Sequence, residues 1–176
     1  TVSAFVALAR ARPAQISCGS AGVGATGHLA GELFKIIAGV EMAHVPYKGG
    51  ALAANDLLAG HIQAMFLSVL LTVPQARQGK LKALAVVGRT RAAQLPQVPT
   101  IAEAGYPEFD VLVFSAMLAP QGTPPTIINR MNAELVKVLR SADIQRKLAD
   151  LGGVPAPSSP DELVSVFRHE AQIWGR

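Results

Sequence analysis

Between Gln15 and Leu29 the chain reads Gln-Ile-Ser-Cys-Gly-Ser-Ala-Gly-Val-Gly-Ala-Thr-Gly-His-Leu, an apolar start followed by glycines, hydroxyls and a histidine. Glycines let the backbone turn so that several N–H groups converge, and a helix opening there adds its positive dipole end. The product is a cradle for an anion. Its candidate binding residues are Ser20, Ala21, Gly22, Val23, Gly24 and Thr26, with His28 in the first helical turn. Ser20 and Thr26 read as hydroxyl donors. His28 reads either as a donor to a ligand or as a local capping and packing residue. A second loop, Val45-Pro-Tyr-Lys-Gly-Gly50, again stands between a strand and a helix, so in a parallel sheet it opens on the same edge. Tyr47, Lys48 and Gly49 are its candidates for the same crevice; the plainer reading is a solvated lysine beside a half-buried tyrosine.

Other chemistries fit these residues less well. Gly22-Val-Gly-Ala-Thr-Gly27 matches the spacing of a dinucleotide fingerprint. Such a site also wants an acid at the end of the second strand, where this chain has His44-Val-Pro, and Glu41 only opens that strand. A nucleotide-binding enzyme domain built on Gly22–Gly27 stays open as the alternative. No Gly-Lys-Ser/Thr closes the loop, which excludes a phosphate loop of that kind. Cys18-Gly-Ser-Ala-Gly22 lacks the glycine at position 18 that a nucleophile elbow requires, and no acid-then-histidine pair follows. His28, His44, His61 and His169 have no ligand spacing, so neither a metal nor a cofactor is expected. The lone Cys18 rules out a disulfide within the chain and reads as a small buried hydrophobe. A tight strand-to-helix turn with ordinary capping remains a sufficient account of the first loop.

Elements must hold these loops. The chain has 176 residues, 50% of them hydrophobic and 16% charged, a composition for a folded domain with enough core to need no staple. Its net charge of +4 is spread over single lysines and arginines, and aromatics make up 5%, so a nucleic-acid partner is not expected. No apolar run is long enough for a membrane span. Val2, Phe5, Val6 and Ala9 fall at helical spacing, and Arg10 and Arg12 follow the apolar run rather than precede it. The opening therefore reads as the last turns of a helix, not a signal peptide, with the chain starting in mid-fold.

From Pro13 onward the pattern predicts strands at Gln15–Cys18, Glu41–Val45, Ile62–Ser68, Leu81–Val87 and Val111–Leu118, separated by helices in a mostly parallel sheet. A helix over Thr26–Ala38 puts Leu29, Leu33, Ile36 and Ile37 on one face and closes at Gly39. Another over Ala51–Leu58 packs Leu52, Leu57 and Leu58 and turns Asn55 and Asp56 to water. Arg89–Phe109 is irregular, with a helical turn at Thr100–Ala104. After Pro120 the chain becomes helical: Thr123 caps a helix starting at Pro124, Ser141 starts another, stopped at Gly152, and Ser159-Pro-Asp-Glu162 is a capping box opening the last.

The ordered pieces Gly19-Ser-Ala-Gly-Val-Gly24, His28-Leu29, Glu32-Leu-Phe34, Val45-Pro-Tyr-Lys-Gly49, Asp56-Leu-Leu-Ala-Gly60, Gly79-Lys-Leu-Lys-Ala-Leu-Ala-Val86, Leu95-Pro-Gln-Val-Pro-Thr100 through Gly105, and Ala119-Pro-Gln-Gly-Thr-Pro124 resemble the Bug-type receptors of tripartite tricarboxylate transporters. The resemblance covers essentially the whole chain. It implies an α/β, type II periplasmic-binding-protein-like fold, with one complete βα lobe and the helical C-terminal part of a second. On that mapping residues 1–13 end a first-lobe helix and hinge, 14–113 form the second lobe with the ligand half-site, and 114–176 return to the first lobe. The implied function is a non-enzymatic, periplasmic solute receptor that binds a small carboxylate and passes it to membrane components of a transporter. The first-lobe half of the site is missing from the chain, which implies weak binding by this part alone and some self-association through exposed first-lobe surface. Where members of the family often carry an acid in the crevice this chain has Leu67; a frequent serine or threonine is Ala25, and Phe114, Ser115 and Ala116 replace a tryptophan followed by an aromatic-glycine pair. These departures favour a plain or more apolar carboxylate over an amine-bearing one.

Overall fold

Helix α1, Val2–Ala11, opens on Thr1, whose hydroxyl accepts from the Ala4 amide at 3.2 Å. In this computed structural model, which describes residues 1–109, 111, 114–150 and 152–174, residues 1–113 and 114–176 form separate compact units. Within the first unit α1 buries Val2, Val6 and Ala9, and its Arg10 guanidinium donates to the Ala38 carbonyl at 2.7 Å. That bond places a cation on the C-terminal carbonyls of the next helix, where the dipole favours it.

Three parallel strands follow: β1 Ser17–Ser20, β2 Ala43–Pro46 and β3 Ala64–Met65, in the order β2-β1-β3. Ser17 pairs with Ala43 and Cys18 with Ala64, so all three strands end on one edge. The sheet is smaller than the five strands predicted. Ile62–Ser68 shrinks to two residues because Ser68 already caps helix α4, Val69–Arg77, a helix the sequence did not suggest because Pro74 stands inside it. Leu81–Val87 forms no strand. Its Val86 instead pairs with the turn that follows, accepting from the Ile101 amide and donating to the Pro99 carbonyl at 3.1 and 2.8 Å. Part of the expected strand Val111–Leu118 lies outside the described residues, and Phe114–Leu118 is exposed and irregular.

Helix α2 spans Thr26–Ala38 and stops at Gly39 in the left-handed conformation, as expected. Its buried face is not the predicted one. Ala30, Gly31, Phe34 and Ala38 pack inward, Leu29, Leu33 and Ile37 are half-buried, and Ile36 is 77% exposed. Small residues win this face because they let the helix lie close on the sheet: a Cβ at Gly31 would sit 3.7 Å from Cys18 Sγ. Phe34 then reaches the centre of the unit, with ring centroids 6.4 Å from Phe5, 6.1 Å from Phe66, 5.7 Å from Tyr106 and 6.2 Å from Phe109. Helix α3, Gly50–Ala59, likewise buries Ala53 and leaves Leu52 and Leu58 exposed, while Asp56, expected in water, is half-buried. The irregular stretch 89–109 is anchored by buried Leu95, Val98, Ile101 and Phe109. A capping box holds its helical turn: the Thr100 amide donates to Glu103 at 2.8 Å and the Glu103 amide to Thr100 Oγ1 at 3.1 Å.

The second unit contains α5 Pro125–Arg140, α6 Ala142–Asp150 and α7 Pro160–Trp174. Thr123 does not cap α5. Its hydroxyl donates back to the Pro120 carbonyl at 2.8 Å, and Pro124 takes the cap position. The box at α7 forms as predicted, with the Ser159 amide donating to Glu162 Oε2 at 2.7 Å and the Glu162 amide to Ser159 Oγ at 3.2 Å.

Candidate functional site

The carboxyl ends of β1, β2 and β3 run into loops 21–25, 47–49 and 66–68, each followed by a helix. The caps of α2, α3 and α4 are Ala25, Gly49 and Ser68, and none supplies a side-chain hydrogen bond to its helix. Apart from the His28 and Leu71 amides, which donate to the Ala25 and Ser68 carbonyls at 2.9 and 3.2 Å, the first amides of these helices are left for other partners, and each start carries the positive end of a helix dipole.

The loops touch one another. The Tyr47 amide donates to the Ser20 carbonyl at 3.0 Å, extending the β1–β2 ladder into the second loop. A Cβ at Gly22, whose φ is 140°, would meet the Tyr47 carbonyl at 3.4 Å. One at Gly27 would stand 2.8 Å from the Phe66 carbonyl, so the first turn of α2 lies directly against the third loop. Within the first loop Ala25 donates to the Gly22 carbonyl at 3.2 Å. The amides of Ala21, Val23, Thr26 and Gly27 donate to no group among the described residues. Val23 is 78% exposed at the tip, and Ala21, Gly24 and Thr26 are exposed beside it.

The predicted side chains play other parts. Ser20 is 1% exposed, and its hydroxyl is spent locally, donating to the Gly22 carbonyl at 3.0 Å and accepting from the Gly22 amide at 3.2 Å, with His44 Nε2 at 2.7 Å. It shapes the loop. His28 does the same from the other end: its Nδ1 accepts from the Gly24 amide at 3.1 Å. Tyr47 is half-buried and turned along α3, donating its hydroxyl to Asp56 Oδ2 at 2.7 Å, with His61 Nδ1 3.4 Å from Oδ1. The hydrogen bond to Asp56 raises the Tyr47 pKa, and the same bond, then that from His61, lowers the Asp56 carboxyl below its usual range. Lys48 projects into solvent at the second loop, and Gly49 provides its turn at φ 135°. Thr26, at the start of α2, is the exposed hydroxyl on this edge of the first loop.

His44 is the residue that sequence reasoning passed over. Its ring stacks on His28 with centroids 4.0 Å apart and a 32° tilt. The only trace of it in the sequence is its place one turn of the pleat before the end of β2. Burial first, and the neighbouring His28 second, lower its pKa. Cys18 lies under the same pair, and burial, with Glu32 adding to it, pushes its thiol up to about 11. Among the described residues no three metal-ligating side chains converge. A cavity of about 570 Å³ takes none of its lining from the three loops; Val2, Arg77, Leu81, Leu84, Leu95 and Val98 are among the residues that line it.

A parallel sheet whose strand ends run into glycine-shaped helix starts gathers backbone donors on one edge, an arrangement common to α/β binding folds. The profile described as "Tripartite tricarboxylate transporter family receptor" matches residues 1–176, and the chain belongs to that family. It is 38% identical over 174 residues to the "UPF0065 protein in tcbD-tcbE intergenic region" of Pseudomonas sp. strain P51, covering 98% of this chain and 52% of that protein. The chain thus spans about half the length of that curated relative. Among solved structures it superposes on "R. palustris Rpa4515 with adipate" at a TM-score of 0.91 and 34% identity, covering 99% of this chain and 58% of that one. It superposes on "MatC (Rpa3494) from Rhodopseudomonas palustris with bound malate" at 0.87 and 30%, covering 98% and 60%. No helix among the described residues is long and apolar enough to cross a membrane.

Proposed function

We propose that this chain is part of a non-catalytic, extracytoplasmic receptor that binds a small carboxylate and delivers it to the membrane components of a tripartite tricarboxylate-type uptake system. The observation that carries the reading is the set of unpartnered amides, Ala21, Val23, Thr26 and Gly27, gathered beside the Tyr47–Gly49 loop at one sheet edge. Donors fixed on the backbone suit a carboxylate, because they are already oriented and lose no side-chain entropy on binding. Two structural neighbours carry adipate and malate, both dicarboxylates. Residues 14–113 are read as one lobe of the receptor, and residues 1–13 and 114–176 as parts of the other.

One lobe holds one end of such a ligand. A micromolar complex needs about 8 kcal/mol. Charge-assisted hydrogen bonds contribute about 1.5–3 kcal/mol each, against an association cost of at least about 4 kcal/mol. The net from one half-site is small. Calorimetry is expected to show adipate and malate binding the 176-residue chain with millimolar or weaker affinity, and binding a chain extended to the relatives' full length about a thousandfold more tightly. Micromolar binding by the 176-residue chain alone, or a thermal shift with NAD or ATP in place of carboxylates, would overturn the reading.

A further inference from the structure

We propose that His28 and His44 are positioning residues for the glycine-rich loop, and that the loop keeps its anion-ready shape only while His28 is neutral. The proposal takes the identity of the anion from the receptor reading; the loop's response to acid stands apart from it.

The proton inventory carries the argument. His28 Nδ1 accepts the Gly24 N–H at 3.1 Å, so that nitrogen is bare and the ring proton sits on Nε2, which faces Glu32 Oε1 at 4.0 Å. Ser20 has a single hydroxyl proton. Spent on the Gly22 carbonyl at 3.0 Å, it leaves His44 Nε2 to donate to Ser20 Oγ at 2.7 Å, while Oγ also accepts the Gly22 N–H. Two neutral imidazoles, stacked at 4.0 Å, thus hold Gly24 directly and Gly22 through Ser20, the two glycines that bracket Val23 at the exposed tip.

Protonating His28 places an N–H on Nδ1, opposite the N–H of Gly24. Donor then faces donor, and either the ring turns or Gly24 leaves. His44 keeps its bond to Ser20 whether or not it gains a second proton, so the sensitive link is His28 to Gly24. The groups facing His28 are Glu32 and Lys35 from its own helix, His44 from β2 and the Cys18 thiol from β1. Glu32 is also bonded to Lys35 Nζ at 2.8 Å. An imidazolium here would draw an anion, and Glu32, 4.0 Å from its Nε2 and already paired with Lys35, offsets only part of that charge, whereas the Gly24 bond is lost outright. The loss of loop shape therefore outweighs the gain in attraction, and acid weakens the half-site.

The test is nuclear magnetic resonance on the ¹⁵N-labelled chain, followed from neutral pH into acid until the His28 ring is seen to gain its second proton. At the upper end the His28 ring is expected to carry its proton on Nε2. The Gly24 amide is expected to shift with the same midpoint as the His28 ring. In His28→Asn, whose Oδ1 supplies an acceptor that does not titrate, the Gly24 amide is expected to lose that midpoint while the spectrum otherwise stays folded. With adipate as the probe and the chain extended to the relatives' full length, the ratio of wild-type to His28→Asn affinity is expected to fall about tenfold across the range, the worth of about one hydrogen bond. The ratio removes the titration of adipate itself. A Gly24 amide that stays flat while the His28 ring titrates, or a neutral ring protonated on Nδ1, overturns the proposal. Absence of adipate binding by the chain extended to the relatives' full length at both ends, with Gly24 still following His28, supports the positioning role and tells against the carboxylate reading.

Discussion

The units 1–113 and 114–176 are built on opposite terms. The first gathers Phe5, Phe34, Phe66, Tyr106 and Phe109 around one centre and also buries Val2, Ile16, Met42, Ile62 and Leu95. The second has no buried residue in α5 or α6, and Ile127, Met131 and Val138 along α5 are exposed. Its order comes from a few individual contacts instead: the Ser159–Glu162 box, the Asn132 side-chain amide donating to the Ser158 carbonyl at 2.8 Å, and the edge-to-face contact of Phe114 with Phe167 at 5.4 Å. Tertiary packing supplies most helical stability in globular proteins, so helices held by caps and single bonds are the weaker construction. The candidate site belongs wholly to the unit with its own core.

The contrast breaks most visibly at Phe34. Truncation of this buried ring by Phe34→Ala is expected to cost about 3–5 kcal/mol in urea unfolding followed by circular dichroism, and Met131→Ala on the exposed face of α5 under about 1 kcal/mol. Comparable losses in the two variants would erase the distinction between the units. The next effect is confined to the second unit. Ser159→Ala removes the cap of α7 and is expected to cost about 1 kcal/mol, read as faster hydrogen exchange at the start of α7 with no change in α2. Exchange that quickens in both units would mean that they unfold together.

The smallest effect is a dependence on pH. Asp56 is held below its ordinary value by the Tyr47 hydroxyl first and His61 second. A depressed carboxyl contributes stability above its unfolded pKa and loses it as pH falls through the folded value. The wild-type advantage over Tyr47→Phe is therefore expected at neutral pH and should vanish in acid; an advantage constant with pH would assign Tyr47 a packing role only. In the second unit Glu162 follows the same sign, lowered by the Ser159 amide and then its hydroxyl.

What could be read from the chain was whatever depends on neighbours in sequence. The bounds of α2 follow from Thr26 and Gly39, and the α7 box from Ser159 and Glu162, because caps are local chemistry. The glycine loop was legible for the same reason. Burial was not, since it depends on what arrives from elsewhere: Gly31 faces Cys18 and Phe66, so the small-residue stripe of α2 turned inward and Ile36 outward. The strand expected at Leu81–Val87 failed when Pro99–Ile101 took its hydrogen bonds, and α4 was hidden by Pro74. Ser20 was expected to offer its hydroxyl to a ligand; His44, 24 residues away, and Gly22 occupy it, a pairing that only the sheet brings about.

Cys18, the single cysteine, is buried with a thiol pushed up to about 11, so at neutral pH it is almost entirely protonated and shielded from reagents. The fold has thereby set aside its own sulfur and left the surface a blank slate for thiol chemistry. A cysteine introduced at exposed Val23 would be the one group that a maleimide dye finds, placing a fluorescent reporter on the tip of the loop without removing any native residue elsewhere.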